Sequence, residues 1–236
     1  MTIQLAHKAV LARKNVADDP VDIFGDGSCF AAYTFDDTIA EYKGRYTNTA
    51  YNTPTYTTEN LGKAINFNGT NQYAVLDLNA AGEDFYAISF WRYSNQASGY
   101  IETAEAIDSA SVGFALAPDG SGFTGAFPNE KKAIGDSYSS TTLVSYQTWQ
   151  HIVYNWDAGN SRYDLYVDGT LDDNYDLREN SSIVLANVSR YIVLGTSMTT
   201  YPTPVLYWPC KYDQLRVFNR VLTGGEITTL YNEGAL

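Results

Sequence analysis

The chain has 236 residues, a formal net charge of −12 at pH 7 and a pI near 4.4. Binding to nucleic acid needs clustered Lys and Arg, so this acidic balance excludes nucleic acid as a partner. The 20 Tyr and 10 Phe, against only 2 Met, favour β-strands. One all-β domain of this length buries about 70% of its unfolded surface and needs neither metal nor disulfide to be stable.

The N-terminal segment, residues 1–24, differs in character from the rest. Its apolar residues have helical spacing, and its basic residues precede an acidic domain. It is not typical of a signal peptide, since Lys8 interrupts the apolar part and no cleavage site follows. Two interpretations stay open: a frayed terminus, or a helical arm that docks on a partner or on a second copy of the chain. We predict one domain over residues 25–236 and no membrane span.

From Cys29 onwards, short alternating segments are separated by turn residues. Tight turns are predicted at Asn68-Gly69 and Asp168-Gly169. Strand–turn units without helical crossovers predict an antiparallel two-sheet sandwich. The strand segments are CFAAYTFDD, AINFNGTNQYAVL, YAISFWRYS, VGFALAPDGSGFTGAF, WQHIVYNWD, RYDLYVDGTLDDNY, RYIVLGT and KYDQLRVFNR. After the last of them, Thr223 and Glu226 form a T-x-x-E capping box that predicts a short C-terminal helix.

Three of these segments occur in the order typical of one family. AISFWRY, WQHIVYNWDAGNSRYDLYVDG and KYDQLRVFNRVLTGGEITTLYNE resemble the laminin G-like, or concanavalin A-like, jelly roll. The resemblance covers residues ~28–233 and implies that the last strand lies beside the first. The lead-in DIFGDGSCFAAYTFDD resembles the opening of stand-alone jelly-roll proteins among bacteriophage structural proteins.

Catalytic residues are not indicated. Related glucanases carry E-x-D-x-x-E on one strand, whereas this chain has Glu102, Glu105 and Asp108 at spacings of three. In a strand such neighbours face opposite sides, and Glu102 and Asp108 are ~20 Å apart, too far to flank one glycosidic bond. The two histidines, His7 and His151, lack partners for a triad. We therefore expect no enzyme activity.

A calcium site is implied by the resemblance, because many of these jelly rolls hold calcium where the first and last strands run side by side. Asp36 ends the first strand and Asp213 begins the last, so antiparallel pairing brings them together as candidate ligands. The alternative is that both are solvated strand-end residues. In the same register Cys29 would face a residue near Arg220. Cys29 and Cys210 would then be ~30 Å apart, too far for a disulfide, so we predict two free thiols.

Ligand binding is predicted at aromatic residues in loops. The best candidates are Tyr201, Tyr207 and Trp208, which lie among prolines in TTYPTPVLYWPC. Alternatively, Trp208 packs beneath a neighbouring loop. Trp91 and Trp149 match core positions of the family and are interpreted as structural. Further loop candidates are Tyr51, Tyr56 and Tyr138.

Together these patterns favour a non-enzymatic protein on the surface of a phage particle, on its head or tail. Residues 1–24 would bind other virion proteins, and the loops would contact host glycans. The alternative is an extracellular bacterial carbohydrate-binding module, and a glycan-active enzyme ranks last.

Overall fold

The computed structural model describes residues 22–59, 62–78, 86–95, 104–107, 115–118, 123–126, 137–139, 147–157, 162–176, 190–200 and 203–234. The helix predicted in the N-terminal arm lies outside these residues. Of the arm, residues 1–24, only positions 22–24 are described. Tyr201, Glu102 and Asp108 also lie outside them.

The described residues form seventeen strands and one helix. The strands are β1 Cys29–Tyr33, β2 Asn48–Tyr51, β3 Thr55–Glu59, β4 Gly62–Asn66, β5 Tyr73–Asp77, β6 Ala87–Ser94, β7 Ala104–Ile107, β8 Ala115–Pro118, β9 Phe123–Ala126, β10 Ser137–Ser139, β11 Trp149–Asp157, β12 Arg162–Val167, β13 Thr170–Asp176, β14 Arg190–Leu194, β15 Thr196–Thr200, β16 Thr203–Tyr207 and β17 Cys210–Phe218. The helix, α1, is Gly224–Gly234.

Two antiparallel sheets make up the sandwich, as predicted. The larger sheet has the order β13-β12-β11-β6-β17-β4-β3, and the smaller has the order β2-β5-β14-β7. The strands β8 to β10 form a separate three-stranded sheet, and β15 and β16 form a hairpin. None of the described helices is long and apolar enough to cross a membrane.

The main hydrophobic core lies between the two sheets, because alternate side chains of each strand point inward. Strand β6 contributes Ile88 and Phe90 from the larger sheet, and β5 contributes Ala74 and Leu76 from the smaller one. All four are at most 2% exposed. This alternation leaves each sheet with an outer face whose residues are available for other roles.

The closing strand β17 lies in the middle of the larger sheet. One edge pairs with β6, while the other pairs first with β4, at Lys211 and Tyr212, and then with β1, from Leu215 to Phe218. The predicted pairing of first and last strands is therefore confirmed. Cys29 faces Phe218, two positions from the residue expected, and lies about 26 Å along the strand from Cys210. The two cysteines form no disulfide, as predicted, and both are buried.

The turn at Asn68-Gly69 corrects one expectation. Strands β4 and β5 do flank it, but they belong to different sheets and do not form a hairpin. The Asn68 side-chain oxygen accepts hydrogen bonds from the backbone N–H groups of Thr70, Asn71 and Gln72, at 2.9, 3.2 and 3.3 Å. Because this amide-capped turn is wider than a two-residue hairpin turn, it carries the chain from one sheet to the other.

Helix α1 covers part of the outer face of the larger sheet. Its capping box is present: Thr223 N donates to Glu226 Oε2 at 2.8 Å, and Glu226 N donates to Thr223 Oγ1 at 3.3 Å. Ile227 and Leu230 are buried against a second apolar cluster on that face. The helix has 11 residues, and it is the short C-terminal helix that the pattern predicts.

Arg220 joins the two ends of the described chain. Its guanidinium donates to Asp26 Oδ2 at 2.6 Å and to Glu226 Oε1 at 2.6 Å, which ties the lead-in loop to the start of α1. Phe24 from the same loop packs on Phe218, with ring centroids 5.8 Å apart. The lead-in therefore lies on the helix side of the larger sheet.

Candidate ligand-binding site

Four tyrosines cluster on the outer face of the smaller sheet, and we call this cluster the tyrosine face. It consists of Tyr51, Tyr73, Tyr191 and Tyr207, packed around Val75 and Val193. The rings of Tyr51 and Tyr73 stack with centroids 4.2 Å apart and planes within 6°. The ring of Tyr207 lies 6.1 Å from that of Tyr73, tilted by 48°. Tyr73 is 7% exposed, whereas the other three are half-buried.

Strand pairing explains this cluster. Tyr51 and Tyr73 are direct cross-strand partners in β2 and β5. Ala74, which follows Tyr73 in β5, points inward and belongs to the main core. Because side chains alternate along a strand, Tyr73 points outward. Tyr207 ends β16 and reaches the same face. The result is a surface of aromatic rings that could pack against the apolar side of a flat ligand.

Side-chain amides border the tyrosine face, and we call them the amide rim: Asn52, Asn68, Asn71 and Gln72. Asn52 directly follows Tyr51, and Gln72 directly precedes Tyr73. The Asn52 amide donates to the Asn71 carbonyl at 2.6 Å, and the Gln72 amide donates to the carbonyls of Asn52 and Thr53 at 3.1 and 2.8 Å. Amides both donate and accept, so exposed members of this rim suit a ligand rich in hydroxyl groups.

The predicted ligand residues take different positions. Tyr207 belongs to the tyrosine face, whereas the next residue, Trp208, points to the other side and packs half-buried against the main core. Trp208 N donates to the Gly195 carbonyl at 3.0 Å, which fixes this segment to the end of β14. Tyr51 also joins the face, while Tyr56 packs on the main core. The side chain of Tyr138 is not among those described.

The predicted metal ligands lie at a junction of three strands. Strand β17 has an irregularity between Asp213 and Arg216, where it passes from its pairing with β4, which ends at Tyr212, to its pairing with β1, which begins at Leu215. Such a bulge lets a side chain be redirected. Asp36 follows β1 and accepts a hydrogen bond from Lys63 N at 2.9 Å, beside Gly62. A Cβ at Gly62 would lie 2.9 Å from Asp36 Oδ1, so a glycine is needed for this close approach.

Asp213 is a buried carboxyl with an unsatisfied oxygen. It is 1% exposed; its Oδ1 accepts from Gln214 N at 2.8 Å, and its Oδ2 has no hydrogen-bond partner in the described part of the chain. Burial raises its pKa well above the usual value, and the nearby negative charges of Asp36 and Glu59 act in the same direction. Asp36 and Asp213 are therefore close enough to interact.

This arrangement fits calcium in its chemistry. Both side chains supply hard oxygen donors, and the unsatisfied Asp213 oxygen is what a cation would complete. Across the described ranges, no group of three or more His, Cys, Asp or Glu residues has metal-binding geometry. Any cation here would take its further ligands from carbonyl groups and water.

The ring of His151 lies near a serine, but in a closed environment. Ser89 Oγ and His151 Nε2 are 2.8 Å apart, and both residues are 1% exposed. Tyr231 of α1 lies over this region, with its ring 6.1 Å from that of His151. Burial, aided by Arg216, lowers the pKa of His151 to about 3. His151 is thus a neutral, buried residue of the sheet.

Sequence reasoning did not find Tyr73 or the amide rim. Tyr73 ends NGTNQY, which was interpreted only as turn and strand. The available signal was that both YN at positions 51–52 and NQY at positions 71–73 place an amide beside a tyrosine. Only the pairing of β2 with β5 shows that these two motifs meet.

The fold is that of a concanavalin A-like jelly-roll sandwich. The chain belongs to the concanavalin A-like lectin/glucanases superfamily, because a laminin G family model with that description matches residues 68–228. This confirms the resemblance drawn from the sequence. The comparison with curated protein sequences gives no match.

Solved structures of similar fold include binding domains. Domain 4 of an extracellular arabinanase from Geobacillus stearothermophilus, in complex with arabinotriose, has a TM-score of 0.65 and 18% identity, over 86% of this chain and 98% of that one. The binding domain of botulinum neurotoxin DC with sialyl-T has a TM-score of 0.62 and 14% identity, over 88% and 51%. The same toxin domain with rat synaptotagmin II has a TM-score of 0.62 and 15% identity, over 88% and 51%. The chain spans about half the length of the toxin domains, and these likenesses concern the fold.

Proposed function

We propose that this chain is a non-enzymatic carbohydrate-binding protein and that the tyrosine face is its binding site. The observation that carries the proposal is the stacked pair of Tyr51 and Tyr73, with Tyr207 tilted against it, beside the amide rim. Sugar rings have apolar C–H faces that pack on aromatic rings and hydroxyl groups that pair with amides. The bound arabinotriose of the arabinanase domain and the sialyl-T of the toxin domain support a saccharide ligand for this fold.

The ligand would be a neutral saccharide. The tyrosine face and the amide rim, as defined above, consist of tyrosine, valine and amide residues without a formal charge. In a chain of net charge −12, an acidic sugar would meet repulsion that these residues do not offset. Uncharged donors and acceptors therefore favour hydroxyl-rich, neutral sugars.

A glycan array tests this site. We expect Tyr207→Ala and Tyr51→Ala each to weaken binding of a neutral glycan by roughly fivefold, since one aromatic contact contributes about 1 kcal/mol. The double variant should lose the part of the binding that the tyrosine face contributes. Tyr42→Ala is the matched control, because Tyr42 is 53% exposed and lies outside the tyrosine face. Unchanged array binding by the double variant, with an unchanged melting temperature, would contradict the proposal.

The absence of enzyme activity is part of the proposal. The described Ser89–His151 pair is buried beneath α1. This supports a binding role rather than hydrolysis.

We also propose that calcium binds between Asp36 and Asp213. Its support is the unsatisfied Asp213 oxygen beside a second carboxylate. The cation would stabilise the junction of β1, β4 and β17, and neither aspartate belongs to the tyrosine face. Its role would thus be structural.

The proposed location is the surface of a phage particle, with attachment to other virion proteins through the N-terminal segment. This rests on the resemblance of the lead-in to phage structural proteins. An extracellular bacterial carbohydrate-binding module is the alternative.

Deleting residues 1–21 tests attachment, because the deletion removes none of the residues that the structure describes. The deletion keeps Asp22, whose carboxylate accepts from Gly27 N at 2.5 Å, and it also keeps the Arg220 contacts. We expect the truncated chain to bind glycans normally and to be missing from purified particles, as measured by immunoblotting. Normal incorporation of the truncated chain would contradict the attachment role.

A further inference from the structure

A second group of aromatic and polar side chains lies on the outer face of the larger sheet, just past the end of helix α1. We call it the Trp149 platform: Glu59, Tyr93, Trp149 and Lys211. Trp149 pairs with Tyr93 across β11 and β6, and Tyr93 pairs with Lys211 across β6 and β17, so these three share one face. All four residues are half-buried.

The end of α1 leaves this platform uncovered by the helix. Gly234 packs so closely on Trp91 that a Cβ there would lie 2.5 Å from the indole nitrogen. Trp91 and His151 are direct partners in β6 and β11, and Tyr93 and Trp149 are the next outward-facing pair along the same two strands. Helix α1 therefore covers the first pair and stops before the second.

The platform is held in place by a chain of contacts. The Trp149 indole N–H donates to Glu59 Oε2 at 3.4 Å, and Glu59 Oε1 accepts from the Thr57 hydroxyl at 3.0 Å and from the Lys211 ammonium. The same ammonium lies 4.7 Å from the centre of the Tyr93 ring, and the Tyr93 and Trp149 rings are 5.5 Å apart. The aromatic rings are thus fixed before any ligand arrives, which reduces the entropy cost of binding.

The charges of the platform are matched internally. Burial alone would raise the pKa of Glu59, but hydrogen bonds from Lys211 and Thr57 outweigh it and lower that pKa. Glu59 therefore stays ionised and neutralises Lys211. An ammonium has three N–H donors, so Lys211 keeps donors for a ligand after bonding Glu59. Its side chain is 16% exposed and that of Glu59 is 19% exposed.

We infer that the Trp149 platform is a second saccharide-binding site, specific for neutral sugars. A sugar ring would stack on the indole of Trp149, and its hydroxyl groups would accept from Lys211 and donate to Glu59. The matched Lys211–Glu59 pair offers no net positive charge to an acidic sugar. This goes beyond the proposed tyrosine face, because the two sites lie on the outer faces of different sheets and would make one chain bivalent.

The indole signals of tryptophan test this inference directly. The full chain has 4 Trp, and Trp149→Phe assigns the ¹H–¹⁵N signal of Trp149. Arabinotriose, lactose and maltotriose serve as neutral probes, and trigalacturonic acid serves as the acidic comparison. We expect at least one neutral probe to shift the Trp149 signal saturably and the acidic one to leave it in place. Glu59→Gln combined with Lys211→Met should weaken that binding about tenfold.

A tyrosine-face variant separates the two sites. In Tyr51→Ala/Tyr207→Ala the Trp149 shift should persist with the same Kd. A Trp149 signal that none of the neutral probes moves, or a shift that disappears in this variant, would overturn the second site. If the variant keeps the Trp149 shift and its array binding is unchanged from that of the natural chain, the tyrosine face is refuted and the Trp149 platform is retained.

Discussion

Asp213→Asn should stabilise the protein when a chelator is present and should remove the stabilisation that calcium gives. Without a cation, the native state buries a carboxyl whose Oδ2 has no partner among the described residues. Such a group costs ~1–3 kcal/mol, and a neutral amide of the same shape lowers that cost. We therefore expect the variant in chelator to melt ~2–4 °C above the natural chain, if it gains ~1 kcal/mol.

With calcium the order should reverse. A cation at 100 times its Kd adds ~2.7 kcal/mol to the stability of the natural chain, or ~5–11 °C in melting temperature. Asp213→Asn should gain almost none of this, because an amide is a poor replacement for a carboxylate ligand. Differential scanning calorimetry with calcium and with chelator gives all four values.

Asp172→Asn, in the β12–β13 hairpin, is a matched control that should respond to calcium as the natural chain does. Equal melting temperatures of the natural chain in calcium and in chelator would refute the calcium site. A variant that melts lower than the natural chain in chelator would refute the cost assigned to the buried carboxyl.

Gly195→Ala should destabilise the fold by about 3 kcal/mol. Gly195 has φ +80°, a conformation that costs L-residues ~1–2 kcal/mol, and a Cβ there would lie 2.6 Å from the Phe67 ring. Phe67 is 1% exposed within the main core and cannot move aside without disturbing its neighbours, which adds ~1–3 kcal/mol. The expected fall in melting temperature is ~6–12 °C.

The same substitution should affect the tyrosine face, because the Gly195 carbonyl accepts from Trp208 N, next to Tyr207. Gly225→Ala is the matched control: it lies in helix α1 with nothing within 4 Å of its Cβ position, and alanine favours helices. Thermal unfolding of both variants checks the prediction. If the Gly195→Ala variant has the same melting temperature as the natural chain, the close approach to Phe67 is relieved at little cost in stability.

The sequence predicts the fold better than the candidate site. The elements of the fold follow from local sequence signals, whereas the site depends on which strands pair and on which way each side chain points. Local signals define the elements: the capping box at Thr223 and Glu226 and the turn at Asp168-Gly169 are both present where expected. A family resemblance then orders the strands. No local signal shows that Asn68-Gly69 connects two sheets, because that depends on which strand β4 and β5 each pair with.

The candidate site depends on side-chain direction, which alternates residue by residue. Tyr207 and Trp208 are neighbours in sequence, yet one joins the tyrosine face and the other the main core. Periodicity cannot decide between them in a short segment interrupted by prolines. The burial of Asp213 likewise depends on a bulge in β17, which the regular alternation of that strand does not predict.

The position of β17 also determines when the protein can fold. Among the described strands this one comes last in sequence, yet it lies between β6 on one edge and β4 and β1 on the other. During synthesis these three earlier strands must wait with unpaired edges until residues 210–218 leave the ribosome. Pairing Cys29 with Phe218 also closes a loop that runs from residue 29 to residue 218, and such long-range pairing makes folding slow and exposes strand edges to aggregation. Ribosome stalling before residue 210 would therefore leave a polypeptide that depends on chaperones.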